Sequence, residues 1–302
     1  MDSCPSPARR AGPPRTRTLT GVTDAVRVRD LRKTYQGSPA VDGVDLDIAD
    51  GEVFALLGPN GAGKTTTVEI LEGFRRRDSG EVSVLGEDPQ RAGRRWRYGI
   101  GLVLQNASDM ADMTVAETVR HFARFYPDPR PAEEVMDLVG LTGKAGRKVR
   151  TLSGGQRRRV DVAIGVVGRP RLLFLDEPTT GFDPEARRQF WSLITTLSEQ
   201  DGTTILLTTH YLDEVEALAN RVAVLAAGRI RAVGTPRDLG GRDTAEATVG
   251  WIEDGEHRST RTHKPTVVVS ELAGRIGDEI PGLVVTRPSL EDVYLDLIGS
   301  VR

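Results

Sequence analysis

Hydrophobic and polar positions along this chain alternate with two different periods, and the changes between them mark its parts. Ala25-Val26-Arg27-Val28-Arg29 and Val44-Asp45-Leu46-Asp47-Ile48 alternate with period two, which predicts a pair of half-exposed antiparallel strands. The Asp50-Gly51 turn leads into Glu52-Val53-Phe54-Ala55-Leu56-Leu57, whose last five residues are all apolar, as in a strand buried on both faces. From Thr66 to Leu71 the spacing becomes helical, with Arg75-Arg76-Arg77 placed in the last turn and Asp78-Ser79-Gly80 as the stop. Glu81 to Leu85 and Ile100 to Leu104 predict strands. Between Thr114 and about Gly168 helices dominate: Val115, Val119, Phe122 and Phe125 form one stripe, Pro131 to Leu141 a second helix, and Val160, Ala163, Ile164 and Val167 a third. Leu172 to Leu175 and Thr203 to Thr208 predict further buried strands, and residues 221 to 233 a hairpin turning near Ala227-Gly228.

Past Gly240-Gly241-Arg242 the pattern weakens to a strand over Glu246 to Ile252, a charged stretch over 253 to 264, a helix over Pro265 to Ile276 and a last helix from about Leu290 to Ile298. Ser289 stands at its N-cap, Asp292 in the capping-box place, and Leu290, Val293, Tyr294 and Leu297 share one face, which either caps the main core or packs at an interface. The expected organisation is a disordered leader over 1–22, a main domain over 23–238 with a helical subdomain over about 106–168, and a small α/β domain over 239–302. The leader's Arg9, Arg10, Arg15 and Arg17 lie among helix breakers, without the apolar core of a signal peptide.

Composition narrows the function. Lys+Arg number 41 against 43 Asp+Glu, so nothing in the charge balance suggests a basic footprint for nucleic acid, and none is expected as partner. Cys4 is the only cysteine, which removes intrachain disulfides and points to a reducing compartment. No apolar run approaches the roughly 18 residues that span a bilayer, which assigns any membrane crossing to another chain.

The chemistry centres on Gly58-Pro59-Asn60-Gly61-Ala62-Gly63-Lys64-Thr65, which fits the phosphate-loop pattern between a strand and a helix that begins at Thr66. Glycines there let the backbone wrap phosphate oxygens, and the helix start presents unpaired N–H groups to the same anion. Lys64 is placed to reach the β- and γ-phosphates, and the Thr65 hydroxyl a Mg²⁺ ion. Leu172 to Leu175 delivers Asp176 and Glu177 to a sheet edge, where one carboxylate suits metal through water and the other an attacking water. Leu152-Ser153-Gly154-Gly155-Gln156 opens a helix and reads as a plain helix start or as a second anion site. Tyr35 is strand packing or a base-stacking platform, Gln105 an exposed loop residue or a metal contact, His210 a structural histidine or a γ-phosphate contact. Asp183 before Pro184 is explained by helix capping.

Taken together and in order, Tyr35, Gly58 to Thr65, Gln105, Leu152 to Gln156, Leu172 to Glu177 with Asp183, and His210 resemble the ATP-binding subunit of an ABC transporter, over about residues 25 to 234. Leu-Ser-Gly-Gly-Gln is that family's own signature, while Phe182 stands where the family often has Leu. The resemblance implies an α/β phosphate-loop NTPase core with an antiparallel β subdomain, a helical signature subdomain and a small C-terminal appendage. It also implies ATP and Mg²⁺ as ligands, with Tyr35 on adenine, Thr65, Gln105 and Asp176 at the metal, Glu177 as general base and His210 at the γ-phosphate. Ser153 and Gly155 would serve ATP held by a second copy, so a head-to-tail dimer is implied, peripheral on the cytoplasmic side of the membrane beside a separate transmembrane permease. Thr208 to Glu214, Gly234-Thr235-Pro236 and Pro288 to Tyr294 resemble drug and antibiotic exporters of the daunorubicin-resistance type; exporters of lipid or polysaccharide, importers, and soluble ATPases acting on ribosomes or DNA are the alternatives.

Overall fold

The computed structural model describes residues 24–103, 111–277 and 279–299. Its centre is a six-stranded sheet built from β3 (Val53–Leu57), β5 (Ile100–Val103), β6 (Leu172–Asp176), β7 (Thr204–Thr209), β8 (Arg221–Ala226) and β9 (Arg229–Gly234), in the order β5-β6-β7-β3-β8-β9. All neighbours in it run parallel except β8 and β9, which form the expected antiparallel hairpin. Every residue of β3 and β7 is buried. A strand covered on both faces needs apolar residues at consecutive positions, which is why these segments read as runs and not as alternations.

The pleat then divides each run between two cores. Val53, Ala55, Leu57, Leu173, Leu175, Ile205 and Leu207 face one way, toward α3 (Val115–Ala123), α4 (Ala132–Leu138), α5 (Gly154–Val166), α6 (Pro184–Asp201) and α7 (Leu212–Leu218). Phe54, Leu56, Leu172, Phe174 and Leu206 face the other way, toward α1 (Lys64–Leu71), the short α2 (Arg94–Arg97) and a three-stranded antiparallel sheet of order β2-β1-β4. That sheet comprises β1 (Asp24–Tyr35), β2 (Ser38–Ala49) and β4 (Ser79–Val84), with Val26 and Val28 opposite Ile48 and Leu46. At ~1.5–3 kcal/mol for each fully buried large apolar side chain, this two-sided burial outweighs any strand propensity of order 1 kcal/mol.

Three details differ from the sequence expectation. The phosphate-loop helix ends at Leu71 with Glu72 as C-cap and Gly73 at φ +75°, so Arg75 to Arg77 lie beyond it. They serve other partners: Arg75 pairs with Glu69 at 2.5 Å and Arg77 with Asp88 at 2.8 Å, so the dipole argument does not apply. Phe125 follows the end of α3 in a turn closed by its N–H on the Phe122 carbonyl, and it is 53% exposed, so it leaves the buried stripe. Pro131 is the N-cap of α4, which stops at Leu138; Val139 and Leu141 are buried in the turns that follow.

Beyond the hairpin, β10 (Ala247–Glu253) lies between β11 (Glu256–Thr262) and β12 (Val284–Thr286), with α8 (Pro265–Ile276) covering it. Val249, Trp251 and Leu272 form a separate small core there. The final helix α9 (Leu290–Gly299) returns to the main body. Ser289 and Asp292 complete its capping box at 2.7 and 3.1 Å, and Leu290, Tyr294, Leu297 and Ile298 join the core on the helical side of the central sheet. Of the two expected uses of this face, the structure shows the cap.

Candidate active site

Parallel strands β3, β7 and β6 are consecutive in the sheet, so their carboxyl ends open on one edge. The turn after β3 is the phosphate loop. Gly63 adopts φ +104°, a conformation that side chains rarely tolerate, and a Cβ there would lie 2.2 Å from the Ala40 carbonyl oxygen. A Cβ on Gly58 would lie 2.3 Å from the Leu225 carbonyl oxygen, so that glycine is fixed by close approach of β8. Ala62 N–H donates to Pro59 O, and Gly228 N–H donates to Ala62 O, which fastens the loop to the β8–β9 turn. Asn60, Gly61 and Thr65 are exposed at the mouth; Thr66 is half-buried as α1 begins.

Lys64 is buried, and its ammonium donates to Gly58 O at 2.7 Å and Pro59 O at 3.2 Å, with Glu177 Oε1 at 3.7 Å. Burial pulls its pKa down, against the opposing pull of Glu177 and Asp176. Glu177 has φ +43°, a left-handed conformation unusual for a residue with a side chain, held by its N–H on Thr208 Oγ1 at 3.0 Å. The same hydroxyl donates to Asp176 Oδ1 at 2.5 Å. His210, at the end of β7, has a buried Nδ1 only 3.4 Å from Glu177 Oε1, and its ring lies against Tyr211 with centroids 4.0 Å apart. Lys64, Asp176, Glu177 and His210 are therefore one constellation drawn from three strands, a cation and acids aligned beside a loop shaped for phosphate.

The other expected residues stand apart. Tyr35 ends β1, 38% exposed, with Lys33 and Arg75 at 5.5 and 5.4 Å from its ring centre. Ser153 caps α5 in a reciprocal box with Gln156, 3.3 and 3.2 Å, while Leu152 is buried and Ser153 and Gly154 are exposed. Among the described residues no hydrogen bond or ion pair joins Leu152–Gln156 to the phosphate loop. Asp183 accepts from Glu185 and Ala186 N–H at 3.0 and 2.8 Å, the capping expected of it, and a Cβ on Gly155 would lie 3.4 Å from Ala186 in the same turn. Gln105 lies outside the described residues.

Sequence reasoning missed Thr208, Arg158 and Glu72 as neighbours of these acids. A hydroxyl closing an otherwise apolar strand was the available signal for Thr208. Glu72 is buried, and burial, reinforced by Asp176 and Glu69, pushes its carboxyl up to about 8. A carboxyl raised above its unfolded value keeps its proton in the fold, so stability is lost as pH rises from about 4.5 through about 8. Glu72→Gln is expected to abolish that fall, gaining about 2 kcal/mol relative to the parent chain between pH 6 and 8 in urea unfolding. Parallel stability curves for the two proteins over that range would refute the assignment.

The fold and this constellation define a phosphate-loop ATPase cassette. A family model for ABC transporters matches residues 41–180. Daunorubicin resistance ATP-binding protein DrrA2 of Streptomyces coeruleorubidus is 38% identical across 91% of this chain and 95% of its own. Nod factor export ATP-binding protein I of Cupriavidus metallidurans is 37% identical across 92% of this chain and 98% of its own. The linearmycin resistance ATP-binding protein LnrL of Bacillus subtilis is 31% identical across 91% and 98%. Among solved structures, the dimeric post-hydrolysis state of the ATP-binding cassette MJ0796 with ADP and Pi superposes with a TM-score of 0.63 at 25% identity, over 70% of this chain and 98% of that one. The chain belongs to the ABC transporter family, as its nucleotide-binding ATPase subunit.

Proposed function

We propose that this subunit hydrolyses Mg-ATP to drive export of a drug- or antibiotic-like compound through a separate transmembrane permease. The ATPase chemistry rests on one observation above all, the convergence of the Lys64 ammonium and His210 Nδ1 on Glu177 Oε1, at 3.7 and 3.4 Å, beside the phosphate loop. In this reading Lys64 and the amides of Gly58–Thr66 hold the phosphates and Tyr35 stacks on the adenine. Glu177 accepts the proton of a water whose oxygen attacks the γ-phosphorus, while the bond to the bridging oxygen breaks and ADP leaves. His210 orients Glu177 and the γ-phosphate, and Gln105 reaches the metal. Thr65 and Asp176 offer the hydroxyl and carboxylate oxygens that suit a hard cation. Among the described residues no group of three or more His, Cys, Asp or Glu could cage a metal, and Mg²⁺ bound mainly through substrate phosphates requires none. Bound Mg²⁺ would neutralise charge that develops on the phosphates.

Export is supported by likeness to the daunorubicin and linearmycin resistance proteins over nearly the whole chain, including the segment after Gly234. No described helix is long and apolar enough to cross a membrane. In this reading the permease makes the crossing and this chain works beside it on the cytoplasmic face. A drug-sensitive host expressing the chain with its co-purifying membrane protein is expected to gain resistance and efflux, and Lys64→Ala to return both to the level of the empty host. Resistance unchanged across a broad panel, or surviving Lys64→Ala, would sink the drug-export reading and leave the ATPase assignment standing.

A further inference from the structure

Arg158 sits in α5, the helix opened by the Leu152–Gln156 signature, yet its side chain runs to the other end of this active site. The residue is 7% exposed. Its Nε donates to Pro178 O at 3.1 Å and one terminal nitrogen donates to Asp176 O at 2.9 Å. Those two carbonyls bracket Glu177, the residue held at φ +43°. Left-handed backbone at a glutamate costs about 1–2 kcal/mol and persists only where its surroundings enforce it. The Glu177 N–H is fixed by Thr208 and its carbonyl accepts from the Thr180 N–H at 3.3 Å, but neither bond holds the carbonyls of the residues on its two sides, Asp176 and Pro178. The guanidinium restrains the carbonyls on both.

Keeping a guanidinium there is expensive. Burial pulls the Arg158 pKa down, and Asp161, Asp176 and Glu214 hold it up. Asp161, one helical turn on, is 3.8 Å away and itself half-buried. A residue serving only to fill space in this position would be cheaper as an aliphatic. The planar fork, by contrast, offers donors in two directions at a fixed spacing, which is what two carbonyls two residues apart demand and what a lysine lacks.

We propose that Arg158 is a positioning residue for hydrolysis, the link through which the signature helix holds the left-handed turn that aims Glu177. The proposal rests on the assignment of Glu177 given above, and it predicts a separation between binding and turnover. A misplacement of a reacting group by about 1 Å costs on the order of 100-fold in rate. Nucleotide affinity depends chiefly on the phosphate loop, whereas the bonds described above carry Arg158 to Asp176, Pro178 and Asp161.

The test uses the full chain carrying Arg158→Lys, which keeps the charge beside Asp161 and removes the fork, with Arg158→Met as a second variant of similar length. The expected result has three parts: ATP affinity within about twofold of the parent, kcat lower by about 100-fold, and faster amide hydrogen exchange confined to residues 176–182. If exchange in that segment matches the parent, or if it quickens while kcat is unchanged, the positioning role is wrong. If exchange quickens throughout the molecule and affinity falls with it, Arg158 is structural only. Glu177→Gln measured alongside separates the two assignments: full turnover in that variant refutes Glu177 as base, and the exchange of residues 176–182 still decides the clamp.

Discussion

Replacing Glu177 by glutamine is expected to cut ATP turnover by about a thousandfold while leaving ATP bound within a few-fold of the parent affinity. The side chains are isosteric, so Glu177→Gln preserves the left-handed turn at φ +43° and the N–H bond to Thr208. What it removes is a site for the proton of the attacking water. Lys64 loses an anion 3.7 Å away, yet its two bonds to Gly58 O and Pro59 O are untouched. An amide also weakens the claim on His210 Nδ1, which lies 3.4 Å from Oε1. Single-turnover kinetics with radiolabelled ATP separates binding from chemistry. A variant that binds ATP and hydrolyses it at the parent rate would mean that the base is another group.

Why the phosphate loop was legible and its neighbours were not has a physical explanation. Gly58 to Thr65 act through backbone shape, and shape of that kind is written in consecutive residues: Gly63 at φ +104° and the close approach at Gly58 admit no side chain. Asp176 and Glu177 were readable because a two-sided strand must be apolar until it ends. Thr208 and Arg158 act across 32 and 18 residues of sequence, through bonds that exist only once β6, β7 and α5 are packed together. The strand Glu256–Thr262 was missed because Glu-His-Arg-Ser-Thr-Arg-Thr is mostly exposed at a sheet edge, which leaves no alternation to detect. The strand Val284–Thr286 is three residues long and exposed throughout, below what any period can reveal. For α1 and α3, apolar or basic residues past the true end extended the helices on paper; Gly73 at φ +75° and the turn at Phe125 ended them in fact.

The second large effect is a change of mass. The signature end of α5 presents exposed Ser153 and Gly154 beside half-buried Gly155, and its first-turn N–H groups are of the kind that receive an anion. Within one chain, nothing links that helix start to the phosphate loop by hydrogen bond or ion pair among the described residues, and we propose that the two sites serve different phosphates. Two copies related by a two-fold axis, each signature facing the other's phosphate loop, satisfy both at once, whereas any one-to-one pairing on a single nucleotide leaves each chain with an idle site. The dimeric cassette MJ0796, superposable over 98% of its length, has a fold able to pair. Glu177→Gln with saturating Mg-ATP is therefore expected to run at the mass of two chains in light scattering, and at the mass of one chain without nucleotide. Adding Ser153→Glu to that variant sets a carboxylate where the partner's γ-phosphate would arrive. Like charges at contact distance cost several kcal/mol in a closed interface, enough to return the mass to one chain while ATP binding by the phosphate loop persists. A double variant that still pairs would place the interface elsewhere than the signature helix.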